Sequence, residues 1–339
     1  MKTLIGQCDS FQLEPFAYPW AWDMARECEQ NTWTPEEIPV ANDVAAYKNP
    51  GTPPEARFLF EAVLAQLTTF DIQRGDDAAE TFLVLLQPAE IKHFLKRLIW
   101  EEALHTRSYR YVIENLGVPL EIYDRWQTVP SMRARIEYAQ ETSDPLLQIV
   151  RAQLHPTRPH KWDLAAKQML LRAMIFWFLL FEGVWFWINL LGPVQGLARR
   201  GLFTGAAEQF QYIARDESMH VRFGVELIRH FIGENPKTWT PEFRRDIKKM
   251  FEHCIDLEGQ YAEYCHSAGQ MVGYSVLDHV ETSRFFANMR ARSIGLDEPF
   301  PGVKHRFPWM SEVMELRKEK NFFEARNTEY RTGGALKWD

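Results

Sequence analysis

Two tetrapeptides constrain this chain more than any other feature: Glu102-Ala103-Leu104-His105 and Glu217-Ser218-Met219-His220. A carboxylate and an imidazole three residues apart lie on one face of a helix. Each pair falls on a stripe, stepped by three and four, that is otherwise hydrophobic. The first stripe runs Ile91, Leu95, Leu98, Glu102, His105, Tyr109, Val112. The second runs Ala206, Phe210, Ile213, Glu217, His220, Gly224, Leu227, Phe231. Polar groups on a buried stripe are costly unless something pairs with them, and a metal ion is such a partner. Two Glu-x-x-His helices, plus one carboxylate from each of two more, make a dinuclear site inside a four-helix bundle.

The chain supplies both further carboxylates. Asp71 shares a stripe with Phe60, Leu64 and Leu67, so it points inward. Glu182 is the one acid in the apolar run Met174 to Leu191. That run has about the length of a membrane span, but a central acid disfavours a lipid-facing helix. We read it as a buried core helix whose acid has a task. The metal set is therefore Asp71, Glu102, His105, Glu182, Glu217 and His220. Its four carboxylates balance two divalent cations, and oxygen with imidazole suits iron or manganese. Catalytic zinc usually keeps three protein ligands, fewer than this set offers. A third pair, Glu90-Ile91-Lys92-His93, falls off the stripe and is expected on a solvated face. Arg107 and Arg215 lie just off the stripes and are expected to support the site from outside.

Composition agrees with a large helical core. The chain has 339 residues, 46% of them hydrophobic, with 12 Trp and 23 Phe to fill space between helices. A net charge of −7 without a dense basic run argues against a nucleic-acid surface. Cys8, Cys28, Cys254 and Cys265 are scattered and read as free thiols of the cytoplasm. The N-terminus shows no signal-peptide pattern. Periodicity predicts helices near 55–74, 87–116, 130–153, 162–200, 205–233, 240–268 and 272–293. Breaks are expected at Gly117-Val118-Pro119, His155 to Pro159, Gly192-Pro193, Gly201 and Gly233 to Pro236. The proline-rich stretch 1–54 is expected to be largely irregular. The main domain is taken as 1–317. The segment Lys318 to Asp339 is polar but ends on Leu336, Trp338 and Asp339, which suits a peptide that docks on a partner.

From about Trp33 onward the chain resembles the small, radical-generating subunit of class I ribonucleotide reductase. The likeness is strongest in Glu102-Ala-Leu-His105-Thr-Arg-Ser-Tyr109 and Ile213-Ala-Arg-Asp216-Glu217-Ser-Met-His220, and the order acid, ExxH, acid, ExxH agrees. The resemblance implies an all-α, ferritin-like bundle and a homodimer. It implies a di-iron centre first, with manganese–iron or di-manganese as alternatives, and dioxygen as oxidant. Tyr109 then stands where the family keeps its radical tyrosine, walled by Phe186 and Ile213. Asp216 would bond His105 and the indole of Trp33 at the internal end of a radical-transfer route. Tyr330 would hand the oxidising equivalent to a large subunit docked on the C-terminal tail, and that subunit would bind the ribonucleotide. The tail Gly-Gly-Ala-Leu-Lys-Trp-Asp departs from the acidic tails of enteric-type enzymes. Only 32 residues precede Trp33, too few for the nucleotide-binding domain some relatives carry. The alternatives are a dimetal oxidase acting directly on a small substrate, which needs no Trp33, and a ferritin-like storage protein, which needs no Tyr109.

Overall fold

The computed structural model describes residues 3–6, 13–73, 78–154, 161–271, 273–307 and 310. Helices make up this body, and no strand occurs among the described residues beyond an isolated bridge between Met271 and Tyr274. The long ones follow the predicted windows: α3 Pro54–Gln73, α5 Ala89–Leu116, α7 Pro130–Gln153, α11 Thr204–Glu234, α12 Pro241–Cys265 and α13 Val276–Ser293. The helix α5 stops where expected, with Gly117 left-handed at φ 70°, a conformation glycine adopts without a Cβ penalty. The predicted break at His155 to Pro159 lies outside the described residues, as do Cys8, Tyr330 and the tail.

The stretch 1–54, expected to be largely irregular, also forms helices among its described residues: α1, Pro19–Gln30, and α2, Ala41–Lys48. Its prolines start elements rather than break them: Pro19 opens α1 and Pro35 opens a short 3₁₀ turn. Proline is preorganised for a first helical position, where its missing N–H goes unused. The buried positions of α1, Ala21, Met24, Ala25 and Cys28, step by three and four, a helical period that the prolines obscured. α2 has a capping task. Phe203, before α11, supplies no side-chain cap. The buried Asp43 instead accepts from Gly205 N at 3.1 Å and Ala206 N at 2.6 Å, satisfying orphan donors at the positive end of α11.

The apolar run is a chain of pieces: α8 Leu164–Ile175, a π-helical segment Phe176–Phe186, α9 Trp187–Leu191 and α10 Pro193–Ala198. Its most apolar 18-residue window is wholly buried in the protein, as a core helix should be. The short helices α4, Glu80–Leu85, and α6, Arg125–Thr128, sit at the ends of neighbouring long ones. The π-segment packs on α11, and that approach is close. A Cβ on Gly224 would lie 2.2 Å from Cβ of Phe178, so only glycine fits there. α3, α5, the π-segment and α11 enclose the core, with α1 laid across α5 and α11.

Candidate metal centre

All six predicted ligands converge. They come from α3 (Asp71), α5 (Glu102, His105), the π-segment (Glu182) and α11 (Glu217, His220), each at most 2% exposed. Two sets form, Asp71–Glu102–His105–Glu217 and Glu102–Glu182–Glu217–His220, the ligand atoms of each lying within 4.8 Å of one another. Glu102 and Glu217 belong to both. His105 Nδ1 stands 3.9 Å from Asp71, 3.7 Å from Glu102 Oε2 and 3.4 Å from Glu217 Oε1. His220 Nδ1 stands 3.5 Å from Glu102 Oε1, 3.8 Å from Glu182 and 3.4 Å from Glu217 Oε2. Each shared carboxylate thus turns one oxygen to each half, as bridging ligands would.

The donor set fits two metal ions. Both oxygens of Asp71, Glu102 and Glu217, and Nδ1 of both histidines, are buried without a hydrogen-bond partner. Buried polar atoms rarely stay so, and converging carboxylates are worse. Burial, followed by the charge of Glu102, raises the Asp71 carboxyl well above the usual range. Burial would raise Glu217 too, but the two flanking imidazoles pull it down to about 2. Burial favours neutral imidazoles, yet the surrounding carboxylates outweigh it and hold both histidines well above 6.5. In the metal-free site, protons occupy the place of cations. The π-helical stretch carries Glu182, and such widened turns often occur at functional sites.

The histidines use their outer nitrogens differently. His105 Nε2 lies 3.4 Å from Asp216 Oδ2, and the same oxygen accepts from the indole of Trp33 at 2.8 Å. Trp33 is 2% exposed. Its loop is tied to α11 by Arg215, which donates to Asn31 O, and by Gln209, which donates to Pro35 O at 3.3 Å. Arg215 also lies 3.5 Å from Asp216 Oδ1. Arg107, by contrast, does not serve the site. It pairs with Glu36 at the surface at 2.5 Å, because its side chain leaves α5 on the solvent face.

Sequence reasoning missed Glu101. It is 1% exposed, and its Oε2 lies 2.9 Å from His220 Nε2. Arg97 donates to its other oxygen at 3.0 Å. The signal was present: an acid immediately precedes the glutamate of each ExxH, as Glu101 and as Asp216. Glu90 also corrects an expectation. It lies outside the metal centre but is not solvated; it is 1% exposed and accepts from Ala17 N at 2.7 Å and Tyr18 N at 2.8 Å, anchoring the start of α1. Its neighbour His93 is half-buried, 3.5 Å from Glu29 and stacked on Trp22.

Tyr109 is fully buried, edge-on to Phe210 with ring centroids 5.6 Å apart. Burial, then the charges of Asp71, Glu217 and Glu102, keeps its phenol protonated far above 10. Phe186 and Ile213 are likewise fully buried.

Known proteins show the same architecture. The chain is 31% identical to the ribonucleoside-diphosphate reductase subunit beta of Chlamydia pneumoniae over 338 residues, 98% of this chain and 93% of that protein. It is 24% identical to the corresponding subunit of Halalkalibacterium halodurans, over 92% of this chain and 86% of that one. The solved ribonucleotide reductase R2 subunit from Clostridium botulinum shares the fold with a TM-score of 0.81 at 22% identity, over 92% of this chain and 94% of that one. An R2-like ligand-binding oxidase carrying a Mn/Fe cofactor shares it with a TM-score of 0.67 at 16% identity, over 85% of this chain and 99% of that one. The match to the family of ribonucleotide reductase small chains extends over residues 10–308, and with this ligand set in place the chain belongs to that family.

Proposed function

We propose that the chain is the radical-generating subunit of a ribonucleoside-diphosphate reductase, working with a separate large subunit that binds and reduces the ribonucleotide. The observation that carries this reading is the hydrogen-bonded line His105–Asp216–Trp33, with a single carboxylate oxygen joining imidazole to indole. A ligand-binding oxidase shares the fold but has no need to connect its metal site to a buried indole. Two redox-active ions bound there, iron by preference and manganese as the alternative, supply the reduction of dioxygen and retain its oxidising power.

The protein's own groups do the rest. Tyr109 stays neutral in its carboxylate-lined pocket, so it gives up an electron only with its proton, and the Asp71 carboxylate has the strongest electrostatic hold on it. We assign Phe186 and Ile213, both fully buried, to the hydrocarbon wall that shields that phenol from water. Asp216 orients His105 by accepting from its outer nitrogen, a common support for a metal-bound histidine. It also fixes the indole N–H of Trp33, so an electron leaving Trp33 need not strand a mobile proton. We assign Tyr330 and the tail to the large-subunit end of this route, and take the working unit as a homodimer in the cytoplasm, where Cys28, Cys254 and Cys265 remain free thiols.

Loading the metal-free chain with iron or manganese, admitting oxygen and recording electron paramagnetic resonance tests the assignment. A tyrosyl signal is expected, and it should vanish in Tyr109→Phe. A signal that survives the substitution removes Tyr109 from the role. Deleting Tyr330 to Asp339 should abolish reductase activity with the large subunit and leave that signal intact.

A further inference from the structure

Trp33 is carried by the loop between α1 and the 3₁₀ turn Pro35–Glu37. Loops move more readily than helices, so the indole bond to Asp216 leaves the backbone of this loop to be held by other groups. Before Trp33, Arg97 holds Cys28 O and Thr32 Oγ1, and Arg215 holds Asn31 O. After Trp33, Arg107 reaches Glu36 at the surface. In the interior the hold is an amide, that of Gln209 on α11. Its Nε2 donates to Pro35 O at 3.3 Å and to Ile38 O at 3.4 Å. Gln209 stands seven residues before Asp216, so the two lie on one face of α11 about two turns apart, and both reach the same loop.

The amide is itself held. Ser108 on α5 donates its hydroxyl to Gln209 Oε1 at 2.5 Å, and both residues are fully buried. Chemistry fixes the sense of this chain of bonds. A backbone carbonyl only accepts, so Pro35 and Ile38 require the NH2 side of the amide. That leaves Oε1 toward α5, where a hydroxyl can donate. Both polar atoms of the Gln209 side chain are then satisfied, as burial requires. Ser108 also precedes Tyr109. Consecutive residues of α5 meet consecutive residues of α11: Ser108 meets Gln209, and Tyr109 meets Phe210. The helical turn that carries Tyr109 is thus tied to the loop that carries Trp33 through one buried amide.

We propose that Ser108 and Gln209 are positioning residues for electron transfer. Ser108 orients the amide, and the amide holds the loop so that Trp33 keeps its place against Asp216. This rests on the function proposed above, in which Trp33 carries the oxidising equivalent out of the centre. Neither residue belongs to the metal set. Both act through distance and orientation, where a misplacement of about 1 Å can cost up to about 100-fold in rate.

The test uses the full-length, metal-loaded chain with its tyrosyl signal quantified, so that turnover with the large subunit is expressed per radical. Gln209→Met keeps the length of the side chain and removes the amide. It should lower kcat per radical by roughly 10–100-fold. The half-saturating concentration of large subunit, the metal content and the radical yield should not change. Ser108→Ala, the milder change, should act in the same direction and by less. The double variant should be no worse than Gln209→Met, because the two residues act through one chain of bonds. Loss of metal or radical with kcat per radical unchanged would mark a purely structural role and overturn the proposal, as would effects of the two substitutions that simply multiply. Hydrogen exchange read by mass spectrometry follows the loop without turnover. The segment 31–38 should exchange about tenfold faster in Gln209→Met, in keeping with the loss of its two hydrogen bonds, while 89–116 and 204–234 stay as they are. Unchanged exchange in 31–38 overturns the proposal. If the unaltered chain itself shows no turnover with the large subunit, the function proposed above fails, and the exchange measurement still decides whether Gln209 holds the loop.

Discussion

The two halves of the metal centre are built alike and backed differently. Each has a histidine, a terminal carboxylate and a share of Glu102 and Glu217. Behind each histidine stands the acid that precedes an ExxH glutamate. On the His105 side, that acid is Asp216, and the next group is the indole of Trp33. On the His220 side it is Glu101, and the next group is Arg97. An indole can be oxidised and a guanidinium cannot, so on the proposed function the Trp33 side is the electronic exit of an otherwise symmetric site. Arg97 has a mechanical role instead: it donates to Cys28 O and Thr32 Oγ1, each at 3.1 Å, and so braces the segment that leads to Trp33.

The bridging ligands offer the harshest way to break this comparison. Glu217→Ala removes an oxygen from both halves at once and should leave the chain unable to hold either metal. Asp71→Ala spares the His220 set and should retain about one metal per chain. Equal metal content in the two variants, measured by elemental analysis, would show that the halves do not share Glu217.

Trp33→Phe tests the asymmetry directly. Reductase activity with the large subunit should fall to background while metal content and the tyrosyl signal stay at wild-type levels. Arg97→Gln should leave transfer working. If Arg97→Gln stops turnover as completely as Trp33→Phe, the single-exit reading is wrong.

Glu101→Gln and Asp216→Asn weaken the support of one histidine each. Each should cost metal affinity by about 10–100-fold, and Asp216→Asn alone should also interrupt transfer. Competition with a chelator gives the first quantity and steady-state turnover the second.

The smallest effect is one of pH. In the metal-free chain, both histidines hold protons well above 6.5. A histidine whose folded value is raised contributes stability that is fully present below its unfolded value and lost as pH rises through the folded one. The metal-free chain should therefore melt at lower temperature as pH is raised beyond about 6.5. Metal binding displaces those protons, so affinity should climb over the same range. A metal-free melting temperature that is flat in pH would mean that neither imidazole is charged there.

Much of this was legible without coordinates. The stripes placed five of the six candidate ligands, because a polar residue in a hydrophobic register advertises its burial, and Glu182 stood out as the one acid of an apolar run. Helix ends agreed to within a residue or two at Gly117, at Gly192-Pro193 and at Gly233 to Pro236. The two helices within 1–54 were not foreseen because prolines that open helices look, in sequence, like prolines that end them. Glu90 was misread because its partners, the backbone N–H groups of Ala17 and Tyr18, lie far from it in the chain and leave no local pattern.

Pairing across helices marks the boundary between the two kinds of knowledge. By spacing alone, Glu101 is the i,i+4 neighbour of His105, and Asp216 of His220, and such neighbours often interact. The structure exchanges the partners: Glu101 meets His220, and Asp216 meets His105. Because those contacts run in opposite order along α5 and α11, the two helices are antiparallel. Each imidazole turns Nδ1 toward the metal set, which leaves Nε2 facing the neighbouring helix rather than its own. Local periodicity determined which residues enter the centre. Only the packing of α5 against α11 decided which acid stands behind which histidine, and therefore which side of the centre leads to Trp33.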